Sequence, residues 1–150
     1  IKAPKFYSLT TQSLLFLSGS TGGDGIHWRD IVVSSLRNKY GIILNPRRDD
    51  WDSNWVEDIS QQYFVEQVVW ELKAIEDSQY VAVYFDPEFE SPITLLVLGI
   101  IAKSPRKKVV VCCPKGFYKK GNVDIVCAKY GLLEVPSLDD LIGVLNVWLS

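Results

Sequence analysis

Asp86-Pro87-Glu88-Phe89-Glu90-Ser91-Pro92-Ile93-Thr94-Leu95-Leu96-Val97-Leu98-Gly99 joins the end of one apolar run to the start of another. It reads as a strand-end loop that opens a helix. Ser91 suits the N-cap, where its hydroxyl can accept from a free backbone N–H. Pro92 suits the first helical position, where a missing N–H costs nothing. Just upstream, residues 80–85 form a short run of the buried-strand type. A strand, a loop and a helix in this order make the repeating unit of an open α/β sheet, which takes its ligands outside the carboxyl ends of its strands.

The alternation continues in both directions. Residues 12–17 form a short apolar run that ends in Ser18-Gly19-Ser20-Thr21-Gly22-Gly23-Asp24-Gly25. Helical spacing follows through Trp28, Ile31, Val32 and Leu36 and closes at Gly41. Ile42–Leu44 is a second strand, stopped by Asn45-Pro46. Residues 47–59 are polar and acidic and read as a long loop, which Trp51 and Trp55 mark as ordered. A helix over 61–76 carries Phe64, Val65, Val68, Val69, Leu72 and Ile75. The helix over 92–103 is apolar on nearly every face, the mark of a buried helix. Lys108–Cys112 is the next strand, 116–121 a loop, and 122–130 a helix with Asn122 available as N-cap and Gly131 closing it. Residues 132–135 make a short edge strand, and Ser137 caps the last helix with Asp139 and Asp140 in its first turn.

Five strands separated by helices predict an α/β, three-layer sandwich. Parallel crossovers require helices on both faces and run right-handed. The expected architecture is a flavodoxin-like five-stranded parallel sheet of order 2-1-3-4-5, forming a single domain over 1–150 with 1–11 as an N-terminal extension. In that order the binding crevice lies at the carboxyl ends of strands one and three. The glycine-rich loop at 19–25 and the loop at 86–92 should then lie side by side.

Composition removes several function classes. A formal charge of −2 and a pI near 5.4 give no general case for nucleic-acid or anionic-membrane binding. Arg106-Lys107-Lys108 and Lys119-Lys120 read as solvated turns. Three cysteines, Cys112, Cys113 and Cys127, are an odd number with two adjacent, so a reducing, cytoplasmic compartment is expected and the thiols read as small buried hydrophobes. With His27 as the one histidine and no CxxC spacing, zinc has no ligand set. No apolar run is long enough to span a membrane, and the start is not a signal peptide. The chain does not open on Met, as expected of a trimmed or processed piece.

Four segments could carry chemistry. The glycine-rich turn after Phe16-Leu17-Ser18 feeds a helix and can cradle an anion or sugar hydroxyls through backbone N–H groups, or be a flexible surface loop. It has neither the P-loop ending nor dinucleotide spacing. Asn45-Pro46-Arg47-Arg48-Asp49-Asp50-Trp51-Asp52 sits at a strand's carboxyl end. Its charges either pair with one another on the surface or bind a base edge or phosphate, with Trp51 as a stacking face. Gln67, Trp70 and Glu71 fall on one flank of their helix, and a tryptophan there favours the core over base stacking. Gly116-Phe117-Tyr118-Lys119-Lys120-Gly121-Asn122-Val123-Asp124 can close over a ligand, meet a partner subunit, or simply turn.

In this order and spacing, the segments resemble the nucleoside 2-deoxyribosyltransferase-like family. The motifs that carry the likeness are Phe-Leu-Ser-Gly-Ser (16–20), Asn-Pro-Arg-Arg-Asp-Asp-Trp (45–51), Gln-x-x-Trp-Glu (67–71), Ser-Pro-Ile-Thr-Leu-Leu-x-Leu-Gly (91–99) and Gly-Phe-Tyr-x-x-Gly-Asn-Val-Asp (116–124). The resemblance implies a flavodoxin-like sandwich, often in homo-oligomers, that moves a 2-deoxyribosyl group between nucleobases or hydrolyses the N-glycosidic bond without a cofactor. It implies sugar and phosphate contacts at Gly19 and Ser20, base contacts around Asp49, Asp50 and Trp51, and Asp86 and Ser91 on the sugar side. Asn122 would match an asparagine that reaches a neighbouring subunit's site.

The position of the family's nucleophilic glutamate falls on Val97, which has no lone pair with which to attack C1′. Glu88 or Glu90 activating water is the one rescue the same loop offers. The expected function is therefore a nucleoside- or nucleotide-binding, catalytically impaired member of this family. The alternative is a non-catalytic scaffold or interaction protein within a larger assembly. A flavin-binding reading is weak, because no Ser/Thr-rich run follows strand one.

Overall fold

The computed structural model describes residues 1–22, 27–104 and 106–150. Five strands, β1 (Leu14–Gly19), β2 (Ile42–Leu44), β3 (Tyr80–Tyr84), β4 (Lys108–Cys112) and β5 (Leu133–Val135), form one sheet of order β2-β1-β3-β4-β5. Every pairing is parallel, with Phe16 opposite both Leu44 and Val81. Five helices fill the crossovers: α1 (Trp28–Ser35), α2 (Gln62–Asp77), α3 (Pro92–Ala102), α4 (Lys120–Tyr130) and α5 (Leu138–Trp148). The expected three-layer α/β sandwich and strand order are what the chain adopts.

The period-2 geometry of β1 splits the core. Leu14 and Phe16 join the cluster under α2, α3 and α4, with Trp70, Leu98 and Ile101. Leu15 and Leu17 join the cluster under α1 and α5, with Trp28, Val32, Leu141 and Leu145. Each layer therefore needs the other to exclude water from the sheet.

Several boundaries differ from the sequence expectation for identifiable reasons. β1 covers 14–19 rather than 12–17, because Ser18 and Gly19 continue the ladder opposite Val83 and Tyr84. α1 ends at Ser35 rather than running on to Gly41. The Ser35 hydroxyl donates back to the Ile31 carbonyl, a local bond that competes with helix propagation. Asn122 is not an N-cap: it lies inside α4, whose N-cap is Lys119. Gly131 does close α4, in the left-handed conformation with φ 68°. Ser137 caps α5 by accepting the Asp140 N–H.

The largest correction concerns α3. It is not buried all round: Thr94, Val97, Leu98, Ile101 and Ala102 face the core, while Ile93, Leu96 and Ile100 are exposed, Leu96 at 62 %. No charged residue interrupts the helix from Pro92 to Ala102, so its solvent face is as apolar as its core face.

Residues 1–7 run along the outer edge of β2 and over α2. The Ala3 N–H donates to the Asn45 carbonyl at 2.9 Å, and the Asn45 N–H donates to the Ile1 carbonyl at 2.8 Å. The Trp70 indole N–H donates to the Lys5 carbonyl at 3.0 Å, and Tyr7 meets Trp70 edge-on at 6.0 Å between ring centroids. The tryptophan of the Gln67–Glu71 flank is thus a core residue. Because Tyr7 is buried and its hydroxyl donates to Asp77, Tyr7→Ala is expected to cost about 3 kcal/mol, measured by urea unfolding against the parent chain.

Candidate functional site

The carboxyl ends of β1 and β3 meet where the strand order reverses. The Ser20 N–H donates to the Tyr84 carbonyl at 3.2 Å, its hydroxyl accepts the Asp86 N–H at 2.9 Å, and the Ser20 and Ser91 hydroxyls share a hydrogen bond of 2.7 Å. Gly19 is required here by contact: a Cβ would stand 2.5 Å from the Tyr84 carbonyl oxygen and 2.6 Å from the Trp28 ring. Gly22 lies so close to Phe89 that a Cβ would stand 2.6 Å from its ring. The described part of the glycine-rich loop is therefore beside the 86–91 loop. Gly23, Asp24 and Gly25 lie outside the described residues.

Ser91 occupies the N-cap position of α3 but does not cap it with its side chain. Its backbone is left-handed, φ 50° and ψ 54°, the one positive-φ residue other than glycine among the described residues. Such a conformation costs on the order of 1–3 kcal/mol and persists only where the surroundings hold it. The bond to Ser20 is that hold. Asp86 follows β3 half-buried, and its Oδ1 accepts the Glu88 N–H at 2.9 Å. Glu88 and Glu90 themselves are exposed.

Arg29, which sequence reasoning passed over, organises the floor of this crevice. It is 2 % exposed, and its guanidinium donates to the carbonyls of Leu17 (3.3 Å), Ser20 (3.2 Å) and Gly19 (3.0 Å). Burial pulls its pKa down to about 10, so it stays charged near neutrality. One signal was present: a cation in a helix's first turn opposes the macrodipole, so it needs a compensating reason to be there. His27 caps the same helix, its Nδ1 accepting the Arg29 N–H at 3.3 Å. Glu71 on α2 lies in the field of Arg29. Gln67 donates to the Glu71 carboxylate at 2.9 Å and to the Pro46 carbonyl at 2.8 Å.

The 45–52 segment is arranged differently from the serine junction. Asp49 is paired with Lys2 at 2.7 Å, Asp50 with Arg48 at 2.9 Å, and Arg47 with Asp30 of α1 at 2.7 Å. Trp51 packs edge-on against Trp55 at 5.0 Å, Trp55 stacks on Tyr63 at 4.6 Å, and the Arg48 guanidinium lies over the Trp55 ring at 5.1 Å. The long loop is ordered by this aromatic group. The structure gives Asp49, Asp50 and Trp51 no bond to Ser20, Ser91 or Asp86. Asn122 is exposed on α4, one turn from exposed Ile125. Val97 is 8 % exposed and belongs to the apolar cluster beneath α3.

The remaining geometry carries little chemistry. No group of three metal-ligating side chains converges among the described residues. Cys112, Cys113 and Cys127 are free and buried, and burial raises the pKa of each thiol above its ordinary value, which keeps them protonated and unreactive. Hollows of about 270 and 570 Å³ open at the amino ends of the strands, near Gly41 and near Lys108, and neither is lined by a carboxylate. No helix among the described residues is long and apolar enough to cross a membrane.

The family model described as nucleoside 2-deoxyribosyltransferase like matches residues 12–117, from the start of β1 through the loop that precedes α4. No curated protein matches the chain.

Burial, then the charges of Arg29 and Arg47, pull the His27 imidazole down to about 4 from an ordinary value near 6.5. Because the folded value is the lower one, the unfolded chain binds the extra proton. His27's contribution to stability is thus complete above about pH 6.5 and is lost as pH falls toward 4. As His27 is the one histidine, its ring protons in an NMR titration should shift with a midpoint near 4; a midpoint near 6.5 would contradict this burial.

Proposed function

We propose that this chain, which belongs to the nucleoside 2-deoxyribosyltransferase-like family, binds a nucleoside or nucleotide at the junction of the 19–22 and 86–91 loops and is impaired in N-glycosidic bond chemistry. The observation that carries the reading is the hydrogen-bonded meeting of Ser20, Ser91 and the Asp86 N–H at the topological switch point. In this proposal the hydroxyls and backbone of Gly19 and Ser20 receive the sugar or its phosphate, and Asp86 and Ser91 line the sugar side. Trp51, already ordered against Trp55, offers a stacking face for the base. Asp49 and Asp50 reach a base edge only by giving up their partners Lys2 and Arg48; both are exposed pairs, which exchange at little cost. No cofactor enters the scheme, and the buried thiols support a reducing compartment.

The impairment follows from Val97. A retaining transfer needs a carboxylate to attack C1′, expel the base and hold the sugar as an ester until a second base displaces it. Val97 offers no lone pair, and its apolar setting supplies none nearby. Glu88 and Glu90 face solvent and are not held at hydrogen-bonding distance from the crevice residues. A base-exchange assay with a 2′-deoxynucleoside and a second free base tests the reading. The native chain should show no exchange, and Val97→Glu should exceed it by roughly 10³-fold or more. Exchange by the native chain at the variant's rate would refute the impairment.

The same reading includes assembly with a second copy. Ile93, Leu96 and Ile100 form an uncharged face on α3, and Ile125 and Asn122 stand exposed on α4, which packs beside it. A patch of this kind marks an interaction surface. It also favours the alternative, a scaffold whose role is the contact itself, which the exchange assay distinguishes. Leu96→Glu should convert an oligomer to monomer in light scattering coupled to size exclusion; a native chain that is already monomeric would remove this part of the proposal.

A further inference from the structure

Gln67 and Glu71 stand one turn apart on α2, and the first is 6 % exposed. The two hydrogens of the Gln67 amide are both committed, one to the Pro46 carbonyl and one to the Glu71 carboxylate. Rotating the amide by half a turn would set its oxygen against those two acceptors, so the assignment is forced by chemistry. The Gln67 carbonyl oxygen is consequently fixed as a buried acceptor, and it has no partner among the described residues.

Glu71 adds a second acceptor. One carboxylate oxygen takes the Gln67 amide, and the other makes no hydrogen bond among the described residues. Arg29, the nearest source of positive field, has spent its N–H groups on three carbonyls at the end of β1 and forms no ion pair with Glu71. Burial raises the Glu71 carboxyl pKa, opposed by the Gln67 amide and by Arg29. Two acceptors without a donor repel one another in a poorly solvated site and are left unsatisfied.

Their position gives that deficit a use. Gln67 is tied to Pro46 at the end of β2, and Glu71 faces the cation that holds the end of β1. The pair therefore stands between the loops that follow β1 and β2, beside the Ser20 junction. Holding the Pro46 loop needs only the amide hydrogens and explains neither the orphan oxygen nor the carboxylate.

We propose that Gln67 and Glu71 form an acceptor-only site that receives a paired-donor group of the bound nucleoside: two N–H or two O–H hydrogens, as an exocyclic amine or a vicinal ribose diol presents. This rests on the nucleoside-binding reading above and names the feature that reading selects. A carbonyl presented at the same place would meet two acceptors and leave all three unpaired, which is the arrangement that gives strong discrimination.

Four probes separate the possibilities: adenosine carries amine and diol, 2′-deoxyadenosine the amine alone, inosine the diol alone, and 2′-deoxyinosine neither. Titration calorimetry on the native chain should find 2′-deoxyinosine at least tenfold weaker than adenosine. If the amine is read, 2′-deoxyadenosine binds like adenosine; if the diol is read, inosine does. Glu71→Gln should erase about tenfold or more of that advantage and leave 2′-deoxyinosine unchanged. Equal binding of all four probes, or a uniform loss in Glu71→Gln, overturns this site while sparing the nucleoside reading. Binding of none overturns both. The four-probe comparison on the native chain decides the matter even where the variant does not fold.

Discussion

The guanidinium of Arg29, buried against the carbonyls of Leu17, Gly19 and Ser20, is the interaction on which the rest of the crevice depends. A strand that ends inside a parallel sheet leaves its last carbonyls without ladder partners, and burying them unpaired is costly. Here a single planar group with five donors closes three of them at once. The cation is itself desolvated, and the fields of Glu71 and Asp30 offset part of that cost. With the end of β1 fixed, Ser20 is presented at a set height above β3, where it can hold Ser91.

That chain of support runs outward from the sheet. Arg29 fixes Ser20, Ser20 fixes the Asp86 N–H and the strained Ser91, and Ser91 sets where α3 begins. The direction of α3 in turn decides which of its residues face inward. Val97 faces the core while Leu96 faces solvent, so adjacent residues on one helix serve different surfaces. A carboxylate at 97 would sit against apolar neighbours and need a raised pKa or a partner; valine needs neither.

The order of the strands was legible because each is bounded by a breaker, and the one alternation of strand and helix that fits them is doubly wound. The juxtaposition of the serines followed from that order alone. What was not legible depends on long-range contact. Nothing local distinguishes Leu96 from Val97 in a helix that is apolar throughout, so its exposed side emerges only once α4 and the sheet are in place. Lys2 bonding Asp49 across 47 residues had no sequence signature, nor did the left-handed turn at Ser91, which a serine adopts only under tertiary constraint. Asn122 reads as a good cap, yet α4 starts earlier, because Lys120 bonds the Cys113 carbonyl and Asp124 and anchors the first turn.

The strand-like run of residues 1–3 has a further consequence for how the molecule meets its own kind. A sheet edge with free N–H and C=O groups invites another chain to add itself as a strand, and repeated addition gives fibres. On the β2 side that edge is already taken by the chain's first residues, with the terminal amine bonded to the Ile43 carbonyl. On the other side β5 is three residues long, and its central Glu134 sits beside Lys120 and Asp124. Growth by sheet extension is thus blocked at one margin and discouraged by a buried acid at the other, which leaves closed, finite association through helical surfaces as the form of self-contact this fold permits.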